Sequence, residues 1–312
     1  MVANDTSTVI WRLVDGKPGH DRQSAGLVAA LGERIAVNPI TFDIRLVRVG
    51  LWHYARARVP FGKHAPDPAL IIGAGRACQW PLLAARRARG GRAIYLMKPA
   101  WPLWCFDYCV IPDHDDAPQR ANVCISEGVL NDMTRADPDA DTGLILLGGP
   151  SAHFGWDERG VLRQIHTIID AFPDKHWLVT DSRRTPATTR KALAVPANRN
   201  VEFISADAMH SDDLRRHMRR AEMIWVSADS VSMIYEALTT GARVGLIDVP
   251  PARASRISHI GDRLAARERV TRFSDWQAGA ALGVPPPLDE ARRCAGLLLA
   301  ALPDIRAADD RD

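Results

Sequence analysis

Residues 223–249 read MIWVSADSVSMIYEALTTGARVGLIDV, and this stretch decides the fold. Met223-Ile224-Trp225-Val226 is a continuous apolar run of strand length. It ends at a hydroxyl-rich turn, Ser227-Ala228-Asp229-Ser230. After the turn, 231–240 reads as a helix and 244–249 as a second strand. Strand, helix and strand in that order form one βαβ unit. Strands that are apolar throughout belong to a parallel sheet covered by helices on both faces.

The same alternation extends outward. Upstream, 143–147, 176–180 and 201–204 read as strands, and 158–172 and 212–220 as helices. The first half carries strands at 8–14, 42–49, 69–72, 93–97 and 108–111, with helices at 23–34 and 78–89. The expected fold class is α/β, with two doubly wound, Rossmann-like parallel-sheet domains.

The 312 residues suit two domains of roughly 100–200 residues each. The boundary is expected within 132–142, where Arg135-Ala136-Asp137-Pro138-Asp139-Ala140-Asp141 is polar, charged and without a strand signal. That gives an N-terminal domain over 1–135 and a C-terminal domain over 142–282. After the prolines of 283–287 comes a final helix, 288–302, with Leu297, Leu298, Ala301 and Leu302 on its apolar face.

Forty basic and 37 acidic residues leave a net charge of +3, which argues against a nucleic-acid partner. The arginine clusters at 86–89, 215–216 and 219–220 read as solvated helix faces. Five scattered cysteines without a C-x-x-C pair read as reduced thiols of a cytoplasmic protein. Residues 1–7 lack the pattern of a signal peptide, and no run approaches the ~18 apolar residues of a membrane span. Peripheral contact with a membrane surface stays open.

Ligands of doubly wound sheets bind beyond the carboxyl ends of strands, so the turns after strands are where chemistry is sought. Four stand out. Asp15-Gly16-Lys17-Pro18-Gly19-His20-Asp21 sets a cation, an imidazole and carboxylates in one glycine-containing loop. An imidazole titrates near neutrality, so His20 is the preferred proton acceptor. Asp15 would orient it or act as base itself, and Lys17 would meet an anionic group. The plainer alternative is that His20 packs the first helix and Asp21 caps it.

Leu147-Gly148-Gly149-Pro150-Ser151 holds the equivalent place in the second half, where a Gly-Gly turn can offer backbone N–H groups to an anion. Thr180-Asp181-Ser182-Arg183-Arg184-Thr185-Pro186 puts two arginines after a strand, suited to gripping a phosphate, with Thr185-Pro186 as N-cap and first residue of a helix. In the stretch quoted at the outset, Ser230 and Ser232 sit at the start of the helix. Glu236 lies on the face of Ser232, where its carboxylate can accept from a ribose diol. Against this stands a plain N-cap serine with a surface glutamate.

Two weaker signals remain. Gly73-Ala74-Gly75 follows a strand but lacks the third glycine of a dinucleotide fingerprint. Asp113-His114-Asp115-Asp116 contains a D-x-D yet reads as well as an acidic turn; Asp115 is the next candidate for the base. No metal site is expected.

The four turns together resemble those of the mitochondrial-fission protein family of bacteria and plants, a group of GT-B-like glycosyltransferase sequences, over roughly 10–249. More distantly they are similar to the GT-B transferase that adds N-acetylglucosamine in peptidoglycan synthesis. Gly19-His20, Gly148-Gly149 with Ser151, and Glu236 are the matching positions, and Pro150 interrupts the Gly-Gly-Ser run. The resemblance implies a GT-B fold whose two halves face a cleft, with the final helix crossing back to the N-terminal domain. It implies a nucleotide-sugar donor on the C-terminal domain, at Gly149, Ser151, Thr180, Ser182, Arg183, Arg184, Ser230, Ser232 and Glu236. The acceptor would be a glycan or a lipid-linked glycan, with transfer requiring neither metal nor other cofactor. A nucleotide-sugar epimerase and a non-catalytic scaffold of the same fold are the alternatives.

Overall fold

The structure, a computed structural model, describes residues 7–194 and 200–306. The chain divides into two compact units, one of Met1–Asp132 with Asp289–Asp312 and the other of Met133–Leu288.

Unit 1 contains strands β1 (Thr8–Val14), β2 (Val37–Asp43), β3 (Leu70–Ala74), β4 (Arg92–Leu96), β5 (Tyr108–Pro112) and β6 (Val123–Ser126). They form one parallel sheet in the order β2-β1-β3-β4-β5-β6. Helices α1 (Pro18–Gly32), α2 (Leu51–Ala55) and α3 (Gln79–Arg89) belong to the first part of the unit. The two-residue period of a strand splits its apolar run between two cores. Ile10, Ile72, Ile94 and Val110 pack with Leu27 and Leu31 of α1. Their neighbours Trp11, Ile71, Tyr95 and Cys109 pack with Leu82 and Leu83 of α3.

Unit 2 contains β7 (Asp139–Leu146), β8 (His176–Thr180), β9 (Val201–Ile204), β10 (Ala221–Ser227), β11 (Arg243–Ile247) and β12 (Thr271–Arg272). Its sheet runs β12-β11-β10-β7-β8-β9, again all parallel. The helices are α4 (Glu158–Ala171), α5 (Ala187–Leu193), α6 (Ser211–Arg220), α7 (Val231–Thr240), α8 (Ile260–Ala266) and α9 (Phe273–Gln277). On one face Ile145, Val179, Trp225 and Ile247 meet Val161, Ile165 and Ile168 of α4. The α/β doubly wound class expected from the apolar strands is therefore present twice.

The chain ends with α10 (Glu290–Ala301) and α11 (Pro303–Arg306) in unit 1. Cys294, Ala295, Leu298 and Leu299 of α10 are buried in the core that holds Leu31, Tyr108 and Cys124. The Cys294 and Cys124 sulfurs are 3.4 Å apart. The buried face differs from the one read from the sequence: Leu297 is 44% exposed, and Leu299 takes its place. Burying a leucine in such a core stabilises by about 1.5–3 kcal/mol.

Three further local readings are corrected. The strand expected at 42–49 lies earlier, over Val37–Asp43, and a 3₁₀ turn (Ile44–Leu46) follows it. Pro39 is tolerated there because β2 is an edge strand, with one side free of ladder hydrogen bonds. The first helix begins at Pro18, not at residue 23, with proline at its first position. The 132–142 segment is not free of strand, since β7 begins at Asp139.

Candidate functional site

In unit 2 the chain leaves β7 for β8 and β9 on one side, then returns to place β10 on the other. The order reverses between β7 and β10, and such a switch point leaves a crevice at the strand ends. The Gly148-Gly149 turn after β7 and the Ser227–Ser230 turn after β10 meet there. The Asp229 carboxylate, with no exposed side-chain surface, is the centre of the contact. It accepts from the Gly149 N–H (2.9 Å) and the Ser227 hydroxyl (2.7 Å), and it pairs with Arg184 Nη2 at 2.8 Å. The Ser227 hydroxyl in turn accepts from the Gly148 N–H at 2.7 Å.

This corrects the reading of the Gly-Gly turn. Its two N–H groups do not face an anionic ligand; they are bound to Ser227 and Asp229. Both glycines are required by close approach. A Cβ on Gly148 would lie 2.1 Å from the Asp229 carboxylate, and one on Gly149 would lie 2.2 Å from the Arg184 carbonyl oxygen.

The neighbouring turn braces the same place. Arg184 Nη1 donates to the Gly149 carbonyl at 2.6 Å, and the Ser182 hydroxyl donates to that of Gly148 at 2.8 Å. Thr185 does not cap a helix as expected: its hydroxyl also donates to the Gly148 carbonyl, and Pro186 is the N-cap of α5. Asp181, buried, pairs with Arg190 at 2.5 Å and accepts from the Ala206 N–H. Thr180, the last residue of β8, is buried. Both arginines of the pair are exposed, but Arg183 alone has no hydrogen bond or ion pair among the described residues.

The start of α7 is different, because its N-cap hydroxyl and its first backbone N–H groups have no partner among the described residues. Ser230 is the N-cap residue, is only 6% exposed, and its side chain makes no capping bond. The Ile234 N–H is bound to the Ser230 carbonyl. The N–H groups of Val231, Ser232 and Met233, one residue after another, have no acceptor within the helix and point along its positive end. Glu236 sits in the second turn and is only 3% exposed, which excludes a surface glutamate. Ser232 is half-buried; Ser151 is exposed, its hydroxyl accepting from the His153 and Phe154 N–H groups.

Unit 1 has its own switch point, between β1 and β3. Asp15 directly follows β1 and is buried. One of its oxygens accepts from the Lys17 N–H at 3.2 Å; the other lies 2.9 Å from His20 Nδ1. In the Nδ1–H tautomer the ring donates to this carboxylate and keeps its Nε2 lone pair as an acceptor. His20 is the third residue of α1, and Asp21 lies inside the helix; the N-cap is Lys17, with no side-chain bond. The capping role considered for Asp21 is therefore excluded. Burial holds the Asp21 carboxyl above the usual range, opposed by Arg12. Lys17 is exposed and without a side-chain partner among the described residues.

Gly75 shapes this pocket. It has φ of +82°, and a Cβ there would stand 2.2 Å from His20 Nδ1. The Gly73-Ala74-Gly75 segment thus admits an imidazole of the same unit. Asp113-His114-Asp115-Asp116 forms a 3₁₀ turn after β5, where Lys98 donates to the carbonyls of Asp115 and Asp116. No group of three or more possible metal ligands occurs among the described residues.

The structure thus joins Asp15 with His20 and Gly149 with Arg184, with Ser182 bonded to the adjacent Gly148 carbonyl. It adds Asp229 and Gly75, which sequence reasoning did not assign; both stood within quoted turns, but their partners are distant in sequence.

No curated protein matches the chain in sequence. Among solved structures it is similar to a candidate UDP-N-acetylglucosamine 2-epimerase from Listeria monocytogenes. The TM-score is 0.57 at 13% identity, over 98% of each chain. The UDP-GlcNAc 2-epimerase of Methanocaldococcus jannaschii gives 0.56 at 10% identity, over 94% of this chain and 100% of that one. The Neisseria meningitidis enzyme, bound to UDP-GlcNAc, gives 0.51 at 8% identity, over 98% and 94%. At such identities the likeness establishes the fold, which is of the GT-B type. The sequence profile described as Mitochondrial fission ELM1 matches residues 18–302, nearly the whole length. The chain belongs to the mitochondrial fission ELM1 family.

Proposed function

We propose that this protein is an enzyme acting on a nucleotide sugar, with the donor on unit 2, and that it transfers the sugar to a hydroxyl of a glycan or lipid-linked acceptor. The observation that carries the reading is the start of α7: unspent N–H groups, an uncapped Ser230 hydroxyl and a buried Glu236 on one short segment. A diphosphate suits the N–H groups and the positive helix end. Glu236 suits the ribose hydroxyls, with Ser232 alongside. Arg183 supplies a free guanidinium for the departing phosphate, whereas Arg184 and Gly149 hold the turn in shape. Thr180, Ser182 and Ser151 support these turns.

In unit 1 the proposal gives His20 the acceptor proton and Asp15 the orientation of its ring, with Lys17 meeting an anionic group. Charge developing on the leaving diphosphate is met by the α7 N-terminus and Arg183, so the reading calls for no metal or other cofactor.

Epimerisation is the second reading, favoured by the solved structures of like fold described as UDP-GlcNAc 2-epimerases. Product analysis separates the two. An epimerase changes the sugar without an acceptor, whereas a transferase releases nucleoside diphosphate when the acceptor is supplied. The shared premise is tested by calorimetry with nucleoside diphosphates and nucleotide sugars. Glu236→Ala should weaken nucleotide binding by about 1.5–3 kcal/mol, roughly 10- to 150-fold. Unchanged affinity, or no nucleotide bound by the wild-type chain, defeats the assignment.

A further inference from the structure

One face of unit 1 takes no part in the chemistry above. It is built by α2, by the 3₁₀ turn before it, by α3 and by the segment 98–105. Trp52, Leu51 and Trp104 stand 54%, 64% and 79% exposed there. Tyr54, Trp80 and Trp101 line a groove of about 530 Å³ beside them. The Trp80 and Trp101 rings meet edge to face at 4.6 Å. Exposed large apolar groups gathered in this way mark an interaction surface.

The charge on this face identifies what it meets. The two stretches that build it, 44–66 and 79–105, contain ten Lys and Arg and no Asp or Glu. Arg45, Arg86 and Arg89 pair with Asp43, Asp107 and Asp67, which flank the two stretches, and Arg92 pairs with Asp304. Arg48, Arg56, Arg58, Lys63 and Arg87 have no carboxylate within ion-pair distance among the described residues. Two of these lie on the aromatic rings: Arg56 is 4.4 Å from the Trp52 centroid and Arg87 is 5.3 Å from that of Tyr54.

We propose that this face docks on the surface of an anionic lipid bilayer. Indole and phenol rings have an apolar body and a polar edge, which places them at the headgroup level. Guanidinium groups beside them reach lipid phosphates while their aliphatic stems stay against the apolar patch. The side chains project outward, as shallow insertion requires. No helix among the described residues is long and apolar enough to cross a membrane, so the attachment is peripheral. Trp80, in the first turn of α3, follows Gly75 by five residues, so docking would bring the His20 pocket close to the lipid surface. The proposal does not depend on the nucleotide-sugar reading.

The test is co-sedimentation of the full chain with vesicles of phosphatidylcholine alone and of phosphatidylcholine with an equal share of phosphatidylglycerol. The wild-type chain should sediment with the anionic vesicles only, and less so as salt rises. The double variant Trp52→Ala, Trp104→Ala should lower the partition coefficient at least about tenfold. Arg48→Gln, Arg56→Gln and Arg58→Gln should each lower it about fivefold. All five positions are exposed, so melting temperatures should stay at the wild-type value. No wild-type binding to anionic vesicles, or equal partition of all variants, overturns the proposal. So does a self-associated wild-type chain that the double variant converts to monomer without any change in lipid binding.

Discussion

Replacing Asp229 by alanine removes the group on which the β7–β10 switch point is built. Two donors lose their acceptor: the Gly149 N–H at 2.9 Å and the Ser227 hydroxyl at 2.7 Å, both on buried residues. Each buried donor left unsatisfied costs about 1–3 kcal/mol. The Arg184 pair adds little, about 0–1 kcal/mol, because the arginine side chain is 41% exposed and screened by water. Relief of the cost of burying a carboxylate offsets part of the loss, so the net destabilisation should be about 3 kcal/mol. For a domain of this size that lowers the melting temperature by roughly 6–12 °C. Asp229→Asn should cost about a third as much, because its oxygen can still accept from Gly149 while its amide donates to Ser227. Differential scanning calorimetry of the full chain measures both. An alanine variant melting within about 2 °C of wild type, or an asparagine variant less stable than the alanine one, refutes the argument.

Other consequences are equally open to measurement. Leu298→Ala should destabilise by about 2–5 kcal/mol, and the exposed Leu297→Ala by less than about 0.5 kcal/mol, in urea unfolding; similar values for both would mean that α10 buries another face. Gly75→Ala should displace the His20 ring and break its contact with Asp15, because the positive φ and the close imidazole leave no room for a methyl group. An unshifted His20 imidazole signal in the NMR spectrum of that variant would contradict the pocket. Burial pushes the Cys78 and Cys109 thiols up to about 12, so at pH 8 only about 10⁻⁴ of each is thiolate in the folded chain. Cys124 and Cys294 are buried as well, at 4% and 0% exposed, so half-buried Cys105 should be the single fast site for a thiol reagent, lost in Cys105→Ser. Unfolded thiols ionise from about 8.5, before the folded ones, so the unfolded state releases its protons first and stability should fall as pH rises from there towards 12. A flat stability profile across that range would count against this burial.

What is local in this chain is legible without the structure. Four elements, Thr8–Val14, His176–Thr180, Val201–Ile204 and Val231–Thr240, have the ends that the residues alone suggest. In each, an apolar run and its flanking turn carry the whole signal. The parallel class follows from the same runs, because strands buried on both faces need no polar alternation. The turns that gather the polar groups were visible too, since they interrupt those runs at strand ends.

What tertiary structure alone decided is which groups meet. Strand order places β10 beside β7 and β3 beside β1, and neither adjacency is written in local spacing. That order sets Asp229 against Gly149, so glycines that resemble an anion-binding turn prove to make room for the protein's own carboxylate. It likewise sets His20 against Gly75. On α10 the helical period admits several apolar stripes, and the core around Leu31 and Cys124 selected the one with Leu299 rather than Leu297. Hydrophobic period limits what a segment can bury, but the partner it packs against determines which side chains are buried and which polar groups remain for a ligand.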